Sequence, residues 1–207
     1  EQPMDKILTM ILFAVIKKEA ASVKTRDPLE LEIAEKLPDE IRPYETDFLD
    51  AFRVTKPAER KEALQNTMIS LVRGVTNKMK GFSRKETIDY YRQITESAWG
   101  QVEAAGTPEV KSAKYDEVME WTMLDKDYDD RTRRTFSSGP VFAPSWWGRY
   151  DPVYHASTPS VSTPSISGSR PSISMPSVPG AAFASSVVNS VSGFASVGCH
   201  APFTIAR

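Results

Sequence analysis

The sequence predicts a mainly α fold: a winged-helix-like helix–hairpin–helix unit, then a helical bundle, then a long disordered Pro/Ser-rich C-terminal tail. Three observations predict it. Apolar residues recur every three or four positions through successive bounded stretches as far as residue 136. Only one short stretch, Leu29-Glu30-Leu31-Glu32-Ile33, alternates strictly. Acidic residues stop at Asp151; beyond it Arg170 and Arg207 are the only formal charges, while eight of the fifteen prolines fall between Pro140 and Pro179. The expected division is a winged-helix-like unit over 1–55, a three-helix layer over 56–136, a Pro/aromatic segment over 137–155 and a low-complexity flexible tail over 156–207.

The first helix is expected from an N-cap at Asp5 to about Ala21. Its apolar residues run almost all the way round between Ile7 and Ile16, which predicts a central position in the core. That run is ten residues long, short of the roughly 18 needed to span a bilayer. Lys17 and Lys18 stand where the helix dipole is negative. Ser22 to Arg26, the turn Asp27-Pro28 and the alternating Leu29–Ile33 read as a hairpin packed on this helix.

Tyr44, Phe48 and Phe52, with Leu49, predict a compact helix to Arg53. A longer helix is expected from about Ala58 to Lys80, with Leu64, Met68, Leu71, Val72, Val75 and Met79 on its apolar face and Gly81 closing it. Ser83 and Glu86 form a capping-box pattern. They open a helix whose apolar face is Ile88, Tyr91, Ile94, Ala98, Val102 and Ala105, with Gly106 available for a left-handed stop. Thr107-Pro108 then starts a last helix, expected to run unbroken to Arg134 with Tyr115, Val118, Met119, Trp121 and Thr122 on its core side. Asp129/Arg133 and Asp130/Arg134 stand at ion-pair spacing.

The chemistry-bearing residues are sparse. His155, His200 and Cys199 are the only histidines and cysteine, and all lie at or beyond the end of the expected domain. That excludes a Ser-His-Asp or Cys-His pair, or a zinc site of His and Cys ligands, inside it. Asp125 to Asp130 opens like a calcium loop, but the positions that need Gly and Glu hold Asp130 and Phe136. No Gly-rich phosphate loop occurs. The expectation is a protein that is not an enzyme, with no cofactor, no metal and no small-molecule substrate.

Two surfaces stand out. Lys78, Lys80, Arg84 and Lys85 bracket Gly81-Phe82 at an elbow between two long helices, a candidate anion-binding patch. Phe142, Trp146, Trp147, Tyr150 and Tyr154 crowd a Pro-interrupted segment, which either caps the domain or docks on a partner. In the tail, Pro-Ser-(Val/Ile) repeats block helix and sheet. Phe183, Val187, Val188, Val191 and Phe194 share a helical face there, a weak amphipathic segment that needs a partner.

Leu8 to Phe13 with Lys17-Lys18, the hairpin, and Pro43-Tyr44-Glu45 with Phe48-Leu49 resemble the cytoplasmic part of a bacterial family of predicted membrane proteins of unknown function. The resemblance covers residues 5–55. It implies a winged-helix-like fold and a place on the cytoplasmic face of a membrane, and it carries no catalytic residues. Together these readings predict an interaction or scaffolding module that takes a protein partner or a second copy, with a membrane surface as a further partner. The alternative is a regulatory winged-helix nucleic-acid binder using the 78–85 elbow. Glu45, Asp47 and Asp50 on the would-be recognition helix disfavour it.

Overall fold

A computed structural model describes residues 4–137, 139–152 and 177–193. Tyr154, His155, Phe194, Cys199, His200 and the Pro-Ser repeats before Pro176 lie outside them; the last repeat continues into a described strand over Ser177–Pro179. The described residues form eight helices and two two-stranded antiparallel sheets. The fold is mainly α.

Helix α1 (Met4–Lys17) is the centre. Leu8, Ile11, Leu12, Phe13, Val15 and Ile16 are all buried. Asp5 lies within its first turn rather than capping it, and the helix stops at Lys17, short of the expected Ala21. The stop is Glu19, whose left-handed φ of 61° lets the Ala20 N–H reach back to the Val15 carbonyl at 2.9 Å. The chain enters β1 (Ala21–Arg26) directly, then β2 (Leu29–Ile33), in the register Ala21↔Ile33 and Val23↔Leu31 with an irregularity at Lys24.

Helix α2 (Pro43–Arg53) buries Phe48, Leu49, Ala51 and Phe52. The order of the first 55 residues is therefore helix, hairpin, helix, as read. The outer side of α2 carries Asp47, Asp50 and Arg53, the last two paired with each other at 2.5 Å.

Helices α3 (Pro57–Lys78) and α4 (Arg84–Glu103) are each about 30 Å long at 1.5 Å per residue. They do not pack along one another: α3 lies on α2, and α4 lies on α5 (Pro108–Thr122). Only Leu64, Thr67 and Met68 of α3 are buried, and only Thr95, Ala98, Trp99 and Val102 of α4. The two outer halves project as an arm joined at the elbow, where Gly81 takes φ +88°. Ser83 Oγ accepts the Glu86 N–H at 3.3 Å, and Thr107 caps α5 as expected. Gly106 makes no left-handed stop; α4 ends at Ala104 in an ordinary right-handed turn.

The last predicted helix is two. α5 ends at Thr122, and α6 (Tyr128–Thr135) follows a turn in which Asp125 Oδ1 accepts the Asp127 N–H at 3.0 Å. An aspartate bonding the backbone two residues on competes with helix continuation. The break swings Tyr128 into the core, where it is fully buried.

After β3 (Pro140–Phe142) comes α7 (Trp147–Tyr150), and β4 (Ser177–Pro179) pairs with β3 through Val141↔Val178. Helix α8 (Gly180–Gly193) then packs on α1 and α6, burying Phe183, Ala184, Val187 and Val188. This corrects the reading of residues 177–193 as flexible tail. Their apolar face does need a partner, and the partner is the chain's own α1 and α6. Gly180 permits the approach: a Cβ there would lie 2.5 Å from the Phe136 carbonyl oxygen. The buried apolar residues from Leu8 to Val187 form one contiguous core.

If α8 completes that core, Phe183→Ala should cost about 3–5 kcal/mol in urea unfolding, and Gly180→Ala about 1–3 kcal/mol. A segment that merely trails from the domain would give changes within about 0.5 kcal/mol.

Candidate functional site

The Pro/aromatic segment is folded inward. Phe13 of α1 meets the rings of Trp146 at 5.4 Å and Tyr150 at 5.1 Å, and Trp147 meets Phe183 at 5.1 Å. Polar groups clamp it at both ends. Trp146 Nε1 donates to Asp116 Oδ1 at 2.7 Å, and Lys17 Nζ pairs with the same oxygen at 3.2 Å. Arg26 lies over the Tyr150 ring at 5.0 Å and pairs with Asp151 at 3.4 Å. Trp146, Trp147 and Tyr150 are buried and Phe142 is half-buried. As docked, Trp146, Trp147 and Tyr150 are part of the core.

The buried polar groups hold elements together. Glu45, 1% exposed, accepts Lys18 Nζ at 2.7 and 2.8 Å and the Arg42 N–H at 2.8 Å, tying the end of α1 to the start of α2. Lys6 is buried and donates to the Asp125 carbonyl at 2.6 Å, beneath the Tyr128 ring. Burial pushes its pKa down, against the pull of Asp129 and Asp125. Tyr115 and Tyr128 share a buried O–H···O bond of 2.8 Å. The sequence pointed to Tyr115 as a core residue and to Glu45 as a surface charge, and it did not mark Lys6 or Tyr128, because these pairings depend on which helices meet.

Asp125, the first residue of the calcium-like stretch, is engaged by Arg131 at 3.3 Å. Arg131 also reaches Glu96 at 2.9 Å and Glu103 at 2.8 Å, and its guanidinium lies 5.1 Å from the Trp99 ring centre. The hydrogen bonds it donates to Glu103 and then to Glu96, working against desolvation, raise its pKa further above the ordinary range. The charge pairing of α6 thus runs through Arg131, not through the expected Asp129/Arg133 and Asp130/Arg134 pairs. No cluster of three His, Cys, Asp or Glu residues capable of holding a metal ion occurs among the described residues.

The projecting arm is different in kind. Phe82 at its tip is 70% exposed and Tyr90 61%, and Val75, Ile88, Tyr91 and Trp121 are also exposed. Trp121 was expected on the core side of α5. It instead stacks on Tyr91 across the helix pair, ring centres 6.4 Å apart and planes 21° from parallel. Tyr90, Ile94 and Trp121 line a groove of about 380 Å³ along α4 and α5, with Gln93, Gln101 and Glu117 at its polar edges. Lys78, Lys80, Arg84 and Lys85 surround Phe82 and are all exposed. No helix among the described residues is long and apolar enough to cross a membrane.

No protein-family model, no curated protein and no solved structure matches this chain.

Burial pushes Tyr115 up to about 12, although its bond to Tyr128 pulls the other way, and burial pushes Tyr128 well above its ordinary value. The unfolded chain releases these protons near pH 10. The fold therefore holds them more tightly, so stability is intact below about pH 10 and falls as pH rises from there toward about 12. Urea midpoints across that range should drop together with the appearance of tyrosinate absorbance. In a Tyr115→Phe/Tyr128→Phe chain, this part of the alkaline loss should vanish.

Proposed function

We propose that this chain is a non-catalytic interaction module that receives an amphipathic helix of a protein partner in the groove between α4 and α5. The observation that carries the reading is the cluster of Tyr90, Tyr91 and Trp121 standing in water beside Ile94. Aromatic residues contribute most of the energy at protein interfaces. A contiguous apolar patch with a polar rim is the surface that such interfaces use. The groove also has the form that helix recognition needs, with apolar anchors spaced along two neighbouring helices. In support, the buried charged and phenolic groups that reaction chemistry would draw on are committed to holding helices in place.

The test is photo-crosslinking in the native host. A crosslinking residue at position 91 or 121 should give the same discrete adduct, and one at the exposed position 36 should give none. Trp121→Ala should weaken capture of that partner about thirtyfold or more, the loss of a central aromatic anchor. No adduct from the groove, or the same adducts from position 36, would overturn the reading.

A further inference from the structure

We infer that the elbow between α3 and α4 is a docking tip for an anionic lipid bilayer surface. This goes beyond the groove reading, because the tip is a separate surface at the far end of the arm. From Ala63 to Lys85 the chain holds Arg73, Lys78, Lys80, Arg84 and Lys85 and no acidic residue, although the whole chain is net negative. Four of those five cations gather within eight residues around the elbow. The nearest ion pairs along the chain on either side are Lys56–Glu59 and Arg92–Asp89, so the four tip cations are left unneutralised. Glu86 and Asp89 are the nearest acids, and both stand behind the tip on α4.

Between the cations sits Phe82, the most exposed large apolar side chain among the described residues. The left-handed Gly81 and the Phe82 N–H bond to Met79 O, at 3.1 Å, turn the chain there. Val75 and Ile88 are exposed just behind it. At 1.5 Å per residue they lie about 5–6 Å back along α3 and α4 from the ends that flank the elbow. That matches the roughly 5–10 Å to which an apolar face enters the headgroup layer. Lysines and arginines at that level meet the negative surface potential of an anionic leaflet. The aliphatic pair decides between polyanions. A nucleic acid would take the cations and stack one base on Phe82, but it would leave Val75 and Ile88 in water. A lipid surface takes all of them.

The experiment is co-flotation of the whole chain with phosphatidylcholine vesicles, with and without about one-third phosphatidylserine. Binding is expected to the serine-containing vesicles only, weakening as salt rises. Lys78→Gln/Lys80→Gln/Arg84→Gln/Lys85→Gln should reduce it at least tenfold, and Phe82→Ser should reduce it severalfold at unchanged charge. Circular dichroism checks that these exposed substitutions leave the helices formed. Tyr90→Glu in the groove should still float, which separates failure of this proposal from failure of the groove reading. Absence of binding, equal binding to neutral vesicles, survival of binding in the Gln variant, or tighter binding to duplex DNA or RNA than to the vesicles would each overturn it.

Discussion

Helix α1 is apolar on nearly every side, and a helix of that composition is stable only when it is wrapped. Each large apolar side chain withdrawn from water contributes about 1.5–3 kcal/mol, and α1 withdraws six of them. Helix α2 and the hairpin cover only part of that circumference. The rest is covered from far along the chain, by the rings of α7 on Phe13 and by α8. The described residues from 139 onward are therefore part of the core, and the polar clamps on Trp146, Tyr150 and Asp151 fix how they enter.

Wrapping α1 in this way leaves α3 and α4 without a common neighbour. Each is anchored by one half, through Leu64 and Met68 on one side and Trp99 and Val102 on the other. The other halves are covered only in part: Leu71 of α3 reaches the core, and Tyr91 of α4 stacks on Trp121 of α5. Val75, Ile88, Tyr90 and Tyr91 stand exposed there, a concentration of apolar surface that costs free energy in water.

What was legible in the sequence follows from which signals are local. The second strand of the hairpin was readable to the residue, because Leu29, Leu31 and Ile33 alternate and Asp27-Pro28 turns the chain before them; the first begins one residue earlier than expected, at Ala21. The caps at Ser83 and Thr107 were readable for the same reason. The break before α6 was not: Asp125 to Asp130 continues a plausible charged helix face, and the local Asp125–Asp127 bond is reinforced by contacts the sequence does not show, Tyr128 with Tyr115 and Lys6 with Asp125. The arm shows the limit most plainly. The apolar repeat of α4 runs unbroken from Ile88 to Val102, yet Ile88 is exposed and Val102 fully buried. Periodicity says that a face is apolar; it does not say where its neighbour ends. The helical face of α8 was legible in Phe183, Val187 and Val188, but its docking on α1 and α6 was not, since nothing in the sequence brings Gly180 against the Phe136 carbonyl.

Native-state hydrogen exchange tests the central claim most directly, because it reads the stability of each segment in one protein. If α1 is sealed by the C-terminal segment, amides of α1, α7 and α8 should exchange only with global unfolding, while residues 72–94 exchange through local opening several kcal/mol below it. Exchange of α8 at the rate of an unstructured chain, or protection of the arm equal to that of α1, would contradict the account.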